Sequence, residues 1–313
     1  MIELFKMDKR KSANAWFIKG CWYDSDPSQA ENAIAAYKES IRLDNAFTDA
    51  YVNLGFMYLR KEEYDEALVC FNKAAELEVD KPEAYNNLGY VYEKMERFGS
   101  AKQMYERTLG LNPHDIEAMI NIAHINDLEG DYHAAVLQYT KAIEVAPNEV
   151  APHFCLAVLY DQHDMFDEAM SEYRATLEID PYHIKALFNL GNLHAQEGDY
   201  KEAIVYYKRA LALDGEDTSA WNNLGSIYEE MGDYDRAEYI YRRALSLNPY
   251  KAEANFNLAR IQVLQYRLNP RKSMKQDIMR RLNFVLSVNP RNKNVERLLT
   301  ELKNEGDVGG DEG

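Results

Sequence analysis

Six asparagines, Asn53, Asn87, Asn121, Asn189, Asn223 and Asn257, fall on one grid with a step of 34 residues, and Cys155 fills the remaining node. An amide side chain offers both a donor and an acceptor, so a row of them can hydrogen-bond a peptide backbone whatever side chains that backbone carries. The same row could equally fasten neighbouring helices, and spacing alone leaves both uses open. Acidic residues accompany the row: Glu93, Asp127, Asp161 and Glu229 share a second grid position, at which Leu59 and Ala195 also stand. Around the gap at Cys155 the neighbouring positions are the apolar Ile120, Phe154, Val158 and Phe188. Such a patch suits one large anchoring side chain of a ligand, or completes a helix-helix core. Together these fourteen side chains are the candidate binding residues.

Catalytic chemistry finds no comparable pattern. The seven histidines are scattered, and the tightest group, His153, Asp161, His163 and Asp164, lacks metal-site spacing. Glycines fall within helical patterns or their turns rather than in a phosphate-cradling loop, and no serine or cysteine has a base nearby in sequence. We expect no enzymatic activity, no metal and no cofactor.

The elements that carry the asparagines are legible from the same period. Ala50, Ala84, Ala118, Ala186, Ala220 and Ala254 keep the 34-residue step, with Pro152 at the seventh node. Leu54, Leu88, Ile122, Leu156, Leu190, Leu224 and Leu258 follow, each succeeded by a tiny residue: Gly55, Gly89, Ala123, Ala157, Gly191, Gly225 and Ala259. Glycine within a helix costs about 1 kcal/mol relative to alanine, so its recurrence implies close approach by a neighbouring helix. A second apolar pattern carries Ala67, Ala101, Ala135, Ala169, Ala203 and Ala237, then Phe71, Tyr105, Tyr139, Tyr173, Tyr207 and Tyr241. Each unit therefore holds two helices. Stretches such as "EGDYHAA" and "MGDYDRA" turn the chain between them, and prolines after the second helix stop it.

This helix-turn-helix unit, with Leu, Gly, Tyr, Ala, aromatic, Ala and Pro in order, resembles the tetratricopeptide repeat family. The resemblance implies an all-α, right-handed superhelical solenoid of about eight repeats over residues 15–290. An N-terminal segment, 1–14, would precede them, and a capping helix, 291–304, and a disordered acidic tail, 305–313, would follow. The first repeat fits with one extra residue in its turn, and the last holds seven more residues than the spacing allows. In such a family the first helices line a concave groove that holds an extended segment or a helix of a partner. The asparagine row is similar to the ladder in the repeat superhelix of O-GlcNAc transferase, although nothing here resembles that enzyme's catalytic region. The carboxylate clamp of lysines and arginines that serves chaperone tails is missing. The implied role is a scaffold or adaptor, with a structural subunit of a larger assembly as the alternative.

Charge narrows the partners. With 36 Lys plus Arg against 52 Asp plus Glu, the net charge of -16 disfavours nucleic acid and anionic membranes and favours a basic protein or peptide. No apolar run reaches the roughly 20 residues of a membrane span, and the start has too short an apolar stretch for a signal peptide, so a cytoplasmic protein is expected. Cys21, Cys70 and Cys155 are too dispersed for a disulfide framework. One stretch runs against the overall charge: Arg267, Arg271, Lys272, Lys275, Arg280 and Arg281 stand together with the single acid Asp277. Such an island would permit salt-sensitive self-association.

Overall fold

Residues 2–305 are described by the structure, a computed structural model, with side chains from residue 9 onward. The expected acidic tail lies outside the described residues except for Glu305. All regular structure among the described residues is helical. The chain divides into two compact units, the first ending at Leu159 and the second beginning at Tyr160.

In the first unit α1 (Ile2–Asp24) packs on α2 (Ala30–Leu43), α3 (Thr48–Arg60) on α4 (Tyr64–Leu77), α5 (Pro82–Lys94) on α6 (Phe98–Leu111) and α7 (Ile116–Leu128) on α8 (Tyr132–Val145). The division falls inside α9 (Val150–Gln162). The second unit continues with α10 (Phe166–Ile179), then the pairs α11 (Ile184–Gln196) with α12 (Tyr200–Leu213) and α13 (Thr218–Glu230) with α14 (Tyr234–Leu247). It closes with α15 (Ala252–Leu268), α16 (Lys272–Val288) and α17 (Lys293–Asn304). Within each unit second helices also pack on the following first helix, as α2 does on α3 and α12 on α13, so one pair covers the apolar face of the next.

The grid glycines show how tightly a pair closes. The ring of the second helix of the same repeat rests on the glycine: a Cβ placed on Gly89 would lie 2.5 Å from the Tyr105 ring, and one on Gly225 would lie 2.6 Å from the Tyr241 ring. Gly55 meets Phe71 and Gly191 meets Tyr207 in the same way. Those rings are among the largest fully buried side chains of the described residues. The close approach expected from sequence is thus made by an aromatic ring, and the two recurrent residue types are two halves of one contact.

The turn within a repeat requires one left-handed residue. Gly130, Gly198 and Gly232 adopt it at φ of 80, 80 and 75°. The following aspartates, Asp131, Asp199 and Asp233, cap the second helix by accepting from the amides of Ala134, Glu202 and Arg236. In the first repeat the longer turn contains a short 3-10 segment, Pro27–Gln29. The seven extra residues near the C-terminus lengthen helices rather than a loop. α15 and α16 have 17 residues each, against 13 and 14 in α3 and α4.

α17 turns Val295, Leu299 and Leu302 onto α16. It also meets the basic island. Arg267 bridges Glu301 and Glu305, and the nearly buried Lys275 donates to the Glu305 carbonyl at 2.5 Å. Arg280 and Arg281 share Asp277. Four of the six cations therefore have partners, two of them supplied by a helix some 30 residues away that a local charge tally misses. No helix among the described residues is long and apolar enough to cross a membrane.

Candidate functional site

Within each unit side-chain bonds link first helices of successive repeats. In the first unit Asp24 on α1 pairs with Arg60 on α3, and Glu93 on α5 lies 3.4 Å from His124 on α7. In the second, Glu229 on α13 pairs with Arg260 on α15, and Asn257 on α15 donates to Asn222 on α13 at 3.1 Å. The asparagine row stands on these helices, half-buried at every node.

A buried tyrosine hydroxyl links the row to the acids. Tyr173 donates to Asp161 at 3.3 Å and accepts from the Asn189 amide at 2.7 Å, joining three successive helices. Tyr37 does the same between Asp24 (3.4 Å) and Asn53 (3.2 Å). Tyr105 donates to Glu93 at 3.1 Å and Tyr241 to Glu229 at 2.9 Å. Where Ala195 replaces the acid, Tyr207 turns to Asn192 at 2.6 Å, and Asn223 donates to the same oxygen at 3.0 Å. Where Leu59 replaces it, the ring is Phe71 and has no proton to donate. Burial holds all these hydroxyls protonated; that of Tyr207 is pushed up to about 12, and those of Tyr105 and Tyr241 higher still by the carboxylates they face.

The candidate residues accordingly differ in what they have left to offer. Asn53, Asn189, Asn223 and Asn257 each donate to another side chain of the protein. Asn87 and Asn121 make no hydrogen bond from their amides among the described residues. Glu93, Asp161 and Glu229 accept tyrosine protons, and Asp127, half-buried on α7, helps burial and Cys155 to hold the Tyr139 hydroxyl protonated. Ile120, Phe154 and Val158 are half-buried in the first unit. Phe188 belongs to the second, where its ring packs edge-on against Tyr207 at 5.9 Å. His153, named with the acid and histidine group above, lies against the Pro147 carbonyl at 3.2 Å. Among the described residues no three His, Cys, Asp or Glu side chains gather as metal ligands.

The tyrosine link was not foreseen, although the sequence holds its trace. Tyrosine follows an acid by twelve residues at 93/105, 127/139, 161/173 and 229/241, and the one phenylalanine on the grid, Phe71, follows Leu59.

An all-helical stack of helix pairs on a 34-residue period defines a class of interaction scaffold. Family models of the tetratricopeptide repeat match residues 57–96, 82–115, 116–149 and 185–249. The chain belongs to the tetratricopeptide repeat family. Among solved structures it is similar to the APC/C hetero-tetramer Cut9-Hcn1, at 19% identity and a TM-score of 0.55 over 87% of this chain. It spans about half, 52%, of the length of that chain. It is also similar to pilF of Pseudomonas aeruginosa (20% identity, TM-score 0.56, 67% of this chain and 96% of that one). A tetratricopeptide repeat protein from Parabacteroides merdae gives 17%, 0.53, 82% and 99%. At these identities the likeness is one of fold. Among curated proteins none matches the chain.

Proposed function

We propose that this interaction scaffold holds an extended segment of a partner protein along its first helices, with Asn87 and Asn121 as the amides that read the partner's backbone. One observation carries this: equivalent amides elsewhere on the grid donate to other side chains of the protein, whereas these two keep donor and acceptor available on adjacent helices. Ile120, Phe154 and Val158, in the same unit, supply apolar surface for an anchoring side chain of that segment. The test is capture from cell extract by the wild type and by Asn87→Ala/Asn121→Ala, read by mass spectrometry. A protein retained by the first and lost by the second supports the proposal; equal recovery by both counts against it.

A permanent place in a larger assembly is favoured by a different observation. At one grid position the second helices expose Val69 and Leu137 in the first unit and Val205 and Tyr239 in the second, with 47 to 70% of each accessible. A stable, monodisperse monomer on sizing of the chain alone would speak against permanent burial of those residues.

A further inference from the structure

The first unit carries a second row that the amides do not account for. Phe56, Tyr90 and His124 occupy one grid position on α3, α5 and α7, and all three rings are exposed, Phe56 at 39% and Tyr90 at 38%. At the equivalent position the second unit has the polar Asn192, Ser226 and Arg260. Seven residues before each ring, hence about 10 Å or two helical turns along the same face, stand Asp49, Glu83 and Glu117. All three acids are exposed, and none forms an ion pair among the described residues. Rings, acids and the two available amides thus share three neighbouring helices.

We infer that this face of α3, α5 and α7 binds a proline-rich segment in the polyproline II conformation that carries lysine or arginine. The inference rests on the peptide-binding role proposed above and names the ligand for it. Three physical matches lead there. Packed helices lie about 8–10 Å apart, and a polyproline II helix repeats every three residues with about 3.1 Å per residue, or about 9 Å per turn. One residue in three would therefore meet one ring on each successive helix, and proline rings pack on aromatic faces with little entropy to lose. A β-strand ligand, repeating at about 6.7 Å, falls out of step. An α-helical ligand could keep step at two turns, but its carbonyls are bonded internally. The carbonyls of polyproline II are free, and the amides of Asn87 and Asn121 and the Tyr90 hydroxyl are donors placed beside the rings. Charge selects the rest: three exposed acids in a row complement cations on the ligand.

Fluorescence anisotropy of the full chain with three labelled twelve-residue peptides tests this. Their repeats are Pro-Pro-Lys, Gly-Ser-Lys of equal charge, and an amphipathic Ala, Leu and Lys helix. The proline peptide should bind at least tenfold tighter than the other two, and Tyr90→Ala should weaken it about tenfold. Asp49→Asn/Glu83→Gln/Glu117→Gln should remove most of the salt dependence of binding; all three acids are exposed, so this variant retains a folded readout should Tyr90→Ala not fold. Equal binding of the proline and glycine peptides would reduce the site to charge attraction and overturn the proposal. Tighter binding of the helix would overturn it while leaving the peptide-binding role intact. If no peptide binds, the proposal falls, and loss of a captured protein by the Asn87→Ala/Asn121→Ala variant would show that the broader role survives.

Discussion

The first and second units bond differently on one repeat grid. In the second unit Asn189, Asn223 and Asn257 donate to Tyr173, Asn192 and Asn222, so the amide row works as a clasp between helices. In the first unit only Asn53 of the row is held that way among the described residues. Sixteen residues before Asn87 stands Phe71, which has no hydroxyl, and sixteen before Asn121 stands Tyr105, which donates to Glu93. The ring position also differs, aromatic on α3, α5 and α7 of the first unit and polar in the second. A repeat fixes where a side chain stands; the residue one helix away decides whether it holds the protein together or remains open to a ligand.

The layer common to both units should break alike in both, and with the largest effect. Gly89→Leu and Gly225→Leu each drive a side chain into a buried tyrosine ring. Each should lower stability by about 1–3 kcal/mol and spread to adjacent repeats. The control is Gly110→Ala, with nothing within 4 Å of its added carbon; it should be neutral or stabilise by up to about 1 kcal/mol. Thermal melting of the three variants decides, and unchanged melting of both leucine variants would refute the ring-on-glycine contact.

The asparagines should then separate the units. Asn87→Ala/Asn121→Ala, in the first unit, removes amides that hold nothing internally. Its melting should match the wild type, while peptide affinity falls about five- to a hundred-fold, from about 0.5–1.5 kcal/mol per lost hydrogen bond. Asn189→Ala, in the second unit, removes a bond between helices and should cost about 0.5–1.5 kcal/mol of stability with affinity unchanged. If the first-unit variant melts early and binds normally, the comparison collapses and all the asparagines are clasps.

How much of this was readable beforehand follows from what repetition can encode. The alanine, leucine and glycine grid marks the helices, their pairing and the small contact positions, because packing recurs at every repeat. It does not reveal that Asn189 is engaged and Asn87 is not, since both read as asparagine at one node. That difference depends on residue 71 against residue 173, on a neighbouring helix sixteen residues earlier in the chain. Likewise Arg267 and Lys275 read as a free basic island until α17 brings Glu301 and the Glu305 carbonyl beside them. Register is periodic and visible; partnership between side chains far apart in sequence is neither.

A smaller change tests the tyrosine link alone. Tyr173→Phe keeps the ring but removes the hydroxyl that joins Asp161 to Asn189. The phenylalanine already present at residue 71 shows that the ring fits without it. Stability should fall by about 0.5–1.5 kcal/mol, and Tyr173→Phe/Asn189→Ala should cost less than the sum of the single changes, because they remove one shared bond. Strict additivity would show that the two side chains act independently.

The smallest effect contrasts the units by pH. Glu93 and Glu229 are equivalent acids, and their partners, also equivalent on the grid, are His124 in the first unit and Arg260 in the second. The bond to Glu93 raises the His124 pKa above its ordinary 6.5 against the opposing effect of burial. Burial pushes the Glu93 carboxyl up, but the bonds from His124 and Tyr105 outweigh it, and the net shift is below the ordinary 4.5. A histidine with a raised folded-state pKa contributes its full stabilisation below its unfolded value and loses it as pH rises through the folded value. A carboxylate with a lowered pKa contributes above its unfolded value and loses that as pH falls. Both contributions of the Glu93–His124 pair are therefore complete between about pH 4.5 and 6.5, and the melting difference between wild type and His124→Gln should be largest there and fade at higher pH. A guanidinium stays charged throughout this range, so the difference between wild type and Arg260→Gln should stay level as pH rises from about 5 to 9. If the two differences followed the same pH course, the pairs would be interchangeable and the histidine would add no pH dependence to the first unit.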